Sequence, residues 1–433
     1  MTRQVRNLLI TGGVFLLLLV GVGIAFSVIS PPKPKLTPAE LQQQRAEQAA
    51  RRLLKTETKD VTAAKKLLAV SLPTKKNSPA PATDATLFAK PLRSHEVWNF
   101  LQYFDLGTVN VAELSASSAV IYSGVCVSAT GSIDNTVGEC GDETAALASS
   151  AFTTFVGAAH AAGGAVLLSV NAFDDTTIAP LVADASQSAA ALAAAVLPIL
   201  STDGLNGVNL DIEGSNPAES KGFVAFVTAF VGDIRQTDAS AEIVLDSYAG
   251  SASTSSNFFD IPALAPLVNR IFVEAYQLDN SSYSSPNAPI ASSSLGYSVV
   301  QTLVQYEKEV PPSELVLGVP FYGLDFTTVG SRLGSVAVAA SPTDVTYNSV
   351  VSAGKKSLWD PASMTPYAIF RKDGKWHQLW FEDPVSIALK VALATNLGAA
   401  GVGAWSLGME NDSTQMLTAM TGGVAPAKIV LQS

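Results

Sequence analysis

From residue 91 onward, short apolar runs alternate with helical patterns, and candidate strands fall near 97–103, 118–127, 164–171, 206–213, 241–248, 270–277, 314–321 and 400–407. Eight strand-helix units in about 330 residues predict a single (β/α)8 TIM barrel, an α/β fold whose active sites form at the C-terminal ends of the strands. Residues 323–380 make the longest insertion, predicting an α+β wall between strands 7 and 8. The sharpest alternation is Val208-Asn209-Leu210-Asp211-Ile212-Glu213, which puts Asn209, Asp211 and Glu213 on one strand face and the apolar residues on the other. Its two carboxylates are spaced roughly 6.6 Å along the strand, the makings of acid/base chemistry. A half-exposed edge strand with solvated acids would show the same alternation. Tyr276, Tyr322 and Trp405 each follow an apolar run at another strand end, which favours an aromatic-lined acidic mouth suited to a sugar.

On these residues the chain resembles glycoside hydrolase family 18, the chitinase-like barrels. The family's fourth strand carries Asp-Gly-x-Asp-x-Asp-x-Glu, which residues Asn206 to Glu213 follow with two acids amidated. Leu315 to Gly323 resembles the family's seventh strand, Glu274-Ala275-Tyr276-Gln277 stands in the place of its Met-x-Tyr-Asp, and Gly401 to Leu407 resembles its eighth. The resemblance covers about residues 95–420. Asn209 and the segment Leu379 to Ile387 are most similar to the branch of spore-cortex and cell-wall N-acetylglucosaminidase-type hydrolases.

The resemblance implies retaining, substrate-assisted hydrolysis of β-1,4 bonds next to N-acetylglucosamine, in peptidoglycan or chitin-like glycans. Family 18 is a known exception to the rule of two catalytic carboxylates, because the 2-acetamido oxygen of the substrate attacks the anomeric carbon. It assigns Glu213 as general acid, Asp211 as the group that orients the acetamide and faces the oxazolinium ion, and Tyr276 as donor to the acetamide oxygen. Substrate contacts would come from Asn209, Ser169, Gln277, Tyr322 and Trp405, the last as an apolar floor under the ring. Asn209 in place of an acid is expected to remove a like charge from beside Asp211 and to donate to its carboxylate, easing its ionisation. Departures include Asn171-Ala172 where the family has Gly-Gly, Gln277 in place of an acid, and Glu274 in place of an apolar residue. The alternative from another class is a non-catalytic, lectin-like envelope protein on the same fold; a structural wall protein is a third.

Charge and the N-terminus bear on location. Residues 77–433 hold 14 Lys+Arg against 33 Asp+Glu, whereas 31–76 hold 11 against 4, so the barrel is acidic and argues against a nucleic-acid partner. Residues 8–29 are apolar and uncharged over a bilayer's length, predicting a transmembrane signal anchor over 1–30, with a cleaved signal peptide as the alternative. A basic helical stalk and a Pro/Ala/Thr-rich linker are expected over 31–90, the barrel over 91–422 and a tail over 423–433. The expected partners are an N-acetylglucosamine polysaccharide and the membrane, with the barrel outside the cytoplasm. Cys126 and Cys140, an even pair in an exported chain, suggest a disulfide, with two buried thiols as the other reading. No phosphate loop, dinucleotide fingerprint or His/Cys metal motif occurs, and neither cofactor nor metal is expected.

Overall fold

A computed structural model describes residues 95–423, apart from 135, 137–138, 254–256, 281, 292–297, 339–341 and 411–413. The expected anchor, stalk and linker, and the tail beyond Gly423, lie outside the described residues.

Fourteen strands form among the described residues: β1 Glu96–Gln102, β2 Ala119–Val127, β3 Ile133–Asp134, β4 Ala165–Ala172, β5 Gly207–Ile212, β6 Glu242–Tyr248, β7 Arg270–Glu274, β8 Leu315–Pro320, β9 Tyr322–Thr328, β10 Thr343–Thr346, β11 Leu358–Asp360, β12 Thr365–Lys372, β13 Lys375–Trp380 and β14 Gly401–Trp405. Strands β1, β2, β4, β5, β6, β7, β8 and β14 pair in parallel, and β1 bonds to both β2 and β14, which closes an eight-stranded barrel. Each expected strand is present. Ser220–Thr237 shows why the intervening segments are helices: Phe223, Phe226, Val227, Phe230, Val231 and Ile234 recur every three or four residues and bury one face.

Side-chain alternation sorts each strand between two cores. Val208, Leu210 and Ile212 face outward into the shell of helices, and Trp98, Phe100, Ile121, Leu167, Val244, Phe272 and Val316 fill the barrel interior. Phe272 crosses the middle of the barrel. A Cβ at Gly318 or Gly403 would come within 2.6 or 2.3 Å of its ring, so these two strands must carry glycine there. Below this plug Arg270 reaches Glu96 at 3.3 Å and Glu242 at 3.8 Å, spanning the N-terminal end of the barrel.

The insertion between β8 and β14 is a five-stranded antiparallel sheet in the order β10-β9-β13-β12-β11, with the helix Tyr347–Ser352, and matches the expected α+β wall. Tyr322, Leu324, Phe326 and Trp380 form its own small core, against which Tyr367 and Trp405 pack. The wall is stapled to the long loop after β7. Trp380 Nε1 donates to Ser284 Oγ at 2.7 Å, and buried Asn287 accepts from the Gln277 amide at 2.7 Å while donating to the Tyr322 carbonyl.

Candidate active site

Above the Phe272 plug the inward positions turn polar. Parallel pairing sets Ser169 opposite Asn209 and Asn171 opposite Asp211 across β4 and β5. All of β5 is buried, so the polar face that the alternation marks is the interior of the barrel and not a solvated edge. Ser169 Oγ lies 2.5 Å from Asn171 Oδ1 and 2.9 Å from Asn209 Oδ1, and its one proton serves one of the two at a time. Asn209 Nδ2 donates to Asp246 Oδ1 at 2.7 Å.

Asp246, two residues before the end of β6, is a site residue that the sequence reading passed over. It is 2% exposed and supplies, one strand over, the buried acid that position 209 lacks. The expectation for Asn209 is therefore corrected. Its amide serves Asp246 and not Asp211, and a second acid stands beside Asp211 after all. Burial first, then Asp246, Glu213 and Glu143, hold the Asp211 carboxyl well above its ordinary 3.8. Asp246 is raised too, by burial and by Glu213, with the Asn209 hydrogen bond partly offsetting them. The buried Asp211 Oδ1 has no hydrogen-bond partner among the described residues.

Glu213 follows β5 and is partly exposed at the mouth. One oxygen each from Asp211, Glu213 and Glu274 lies within 4.8 Å of the others, closer than strand rise alone places the first two. Among the described residues this is the grouping whose spacing could accept a cation, and no metal motif in the sequence accompanies it. Glu143 reaches the same region from the helix Glu139–Leu147, where its Oε1 lies 3.5 Å from Ser123 Oγ. That helix is joined to β2 by the Cys126–Cys140 disulfide, with Cα atoms 5.4 Å apart.

The aromatic residues complete the mouth. Tyr276 is 8% exposed, and its ring centroid is 6.3 Å from that of Tyr322. Burial, followed by Glu274 and Tyr322, raises its hydroxyl, which stays protonated and able to donate. Trp405 rests on Phe100 at 5.2 Å, and Phe100 rests edge-on against Phe272 at 5.1 Å, so the barrel plug supports the Trp405 indole. Gln277 is exposed at the rim with φ 56°, a left-handed conformation held by the Asn287 bond to its amide. Ser169, Asn209, Asp211, Glu213, Tyr276, Tyr322 and Trp405 thus line one end of the barrel, and Gln277 stands at its edge.

The charge relation between Asp246 and Asp211 has a measurable consequence. Asp246→Asn is expected to let Asp211 ionise about one pH unit lower, because a like charge in a low-dielectric pocket is removed. Carbon-detected NMR titration of the aspartate carboxyls reads this, and an unmoved Asp211 curve would show that burial alone sets its protonation.

Residues 73–410 match the family described as Glycosyl hydrolases family 18. The chain is 24% identical to the di-N-acetylchitobiase of Mus musculus over 47% of this chain and 60% of that protein. It is 29% identical to the cortical fragment-lytic enzyme of Bacillus subtilis (strain 168), over 29% of each. These matches span less than two thirds of the relatives' length. Its fold is similar to that of a family 18 N-acetylglucosaminidase from Paenibacillus barengoltzii, with TM-score 0.64 and 15% identity over 76% of this chain and 100% of that one. A family 18 chitinase from Cycas revoluta, crystallised with (GlcNAc)3, has TM-score 0.65 and 18% identity over 75% and 98%. With the match running over most of its length and through every strand of the mouth, the chain belongs to glycosyl hydrolase family 18.

Proposed function

We propose that this protein is a retaining glycosidase that cleaves β-1,4 bonds next to N-acetylglucosamine, in peptidoglycan or chitin-like glycans, with the substrate's acetamide as nucleophile. The carrying observation is Asp211, whose buried Oδ1 lacks a partner at the bottom of a mouth that also holds Glu213 and Tyr276. A buried acceptor without a donor is costly, and an acetamide N–H supplies that donor. The same bond favours the ionised form of Asp211, which then opposes the positive charge of the forming oxazolinium ion. Tyr276 donates to the acetamide oxygen and aims it at the anomeric carbon. Glu213 gives its proton to the leaving oxygen, then accepts one from the water that opens the oxazolinium ion, so configuration is retained.

Wild-type protein is expected to release products with retained configuration from N-acetylglucosamine oligomers and from purified peptidoglycan or chitin, as read by mass spectrometry and NMR of the fresh products. Binding without turnover would instead make it the lectin-like protein on the same fold. We further propose that residues 8–29 anchor the chain, with the barrel outside the cytoplasm. Intact protein should then sediment with membranes and its barrel should be open to external protease, whereas soluble protein beginning near Phe26 would identify a cleaved signal peptide.

A further inference from the structure

Glu274 closes β7 two residues before Tyr276, in the place where the family pattern carries an apolar side chain. The barrel turns it into the mouth, where one of its oxygens lies within 4.8 Å of oxygens of both Glu213 and Asp211. Its position belongs to a wider rearrangement of charge. Asn209 and Gln277 are neutral where the pattern has acids, while Asp246 and Glu274 are acidic on β6 and β7.

The groups that face this mouth are Asp211 and Glu213 from β5, Asp246 from β6, Glu143 from the helix Glu139–Leu147, and Tyr276 and Tyr322 from the loop after β7 and from β9. Tyr306, from the helix Val299–Tyr306, also feels the Glu274 charge, and its hydroxyl is bonded to Ser247 and to the Tyr248 carbonyl. Among the described residues, the charges acting on Asp211, Asp246 and Tyr276 are those of other acids and of Tyr322. Carboxyl groups this close do not all ionise together. The first proton leaves readily, and the anion left behind holds the next.

We propose that Glu274 is a positioning residue for the catalytic proton: it shares one proton with Glu213 and so keeps Glu213 able to donate at higher pH than a lone glutamate. This rests on the reading of Glu213 as general acid. The proton resides on one carboxyl or the other of the pair, and no bond other than its O–H changes. When Glu213 delivers it to the leaving oxygen, Glu274 remains ionised beside the developing oxazolinium charge.

The test is the pH dependence of kcat/KM on one soluble N-acetylglucosamine oligomer, for wild type, Glu274→Gln, Glu274→Met and Glu274→Asp. Removing the anion lowers the pKa of Glu213, so the basic limb should move down by about one pH unit in the Gln and Met variants. Glu274→Asp, which keeps the charge, should retain most of the wild-type limb. A basic limb unmoved in both neutral variants would overturn the proposal, whatever happens to the rate. Protein without turnover would refute the catalytic reading of Glu213 and leave the shared proton measurable. Difference infrared titration should then show a protonated carboxyl lost at higher pH in wild type than in Glu274→Gln, and that difference should vanish in a Glu213→Gln background. Coincident titrations of wild type and Glu274→Gln would overturn it.

Discussion

Glu213→Gln is expected to cut turnover of N-acetylglucosamine oligomers by about 100- to 10,000-fold while changing their affinity by no more than a few-fold. The amide keeps the size and hydrogen-bonding shape of the side chain but has no proton to give to the leaving oxygen. It also removes one of the charges that raise Asp211 and Asp246, so the remaining acids ionise more readily and the mouth stays anionic. On the proposed reading, substrate binding depends on the Trp405 floor, the Tyr276 hydroxyl and the acceptor on Asp211, all of which the substitution leaves in place. Steady-state kinetics and calorimetric binding on the same oligomer separate the two effects. A rate within ten-fold of wild type would remove Glu213 from the proton-donor role, and lost binding with an unchanged kcat would make it a substrate contact.

The acids of this mouth also bear on stability. Asp211 and Asp246 titrate above their ordinary 3.8 in the folded protein, so the folded state binds more protons than the unfolded chain. Their contribution is fully present below the unfolded value and is lost as pH rises through the folded one. A site poised for acid chemistry is in this way a standing cost near neutral pH, which the rest of the barrel must exceed.

Strands with strict alternation were legible in the sequence because the barrel buries both faces against different partners. In β5 one face meets the helical shell and the other the polar mouth, and the pattern of Val208 to Glu213 records both. Glycine and aromatic positions on β7, β8 and β14 were legible as strands but not as a plug, since nothing in the local sequence says that Gly318 and Gly403 face the Phe272 ring. Asp246 was missed although its signal was present: Val244 faces the interior, and a residue two further along the same strand must point the same way. An acid there, at the C-terminal end of a barrel strand, is a mouth residue by position. Glu143 had no such signal. It reaches Asp211 from a helix outside the strand pattern, held near β2 by the Cys126–Cys140 bond. The role of Asn209 was misread because its partner lies on a strand 37 residues away.

The largest expected effect on folding lies behind the wall of the cleft, in Glu382 and Lys390. Lys390 is fully buried on the helix Pro384–Leu397, its Nζ bonds to Glu382 Oε2, and Glu382 Oε1 has no partner among the described residues. Burial outweighs the pair's attraction at both ends, raising Glu382 above 4.5 and lowering Lys390 below 10.5. Each residue is therefore easier to bury neutral than charged, and each is tolerable charged because of the other. Lys390→Met should destabilise the protein by about 3–5 kcal/mol near neutral pH, since it leaves the Glu382 charge buried without its counter-ion. The loss should shrink as pH falls toward the ordinary glutamate value of 4.5, where Glu382 escapes the penalty by taking a proton. The double variant Glu382→Gln with Lys390→Met removes both charges and should recover most of the lost stability. Denaturant unfolding of the three proteins at both pH values measures this. A single variant as stable as wild type, or a double variant no better than the single, would show that the pair is not what sets the energetics of this wall.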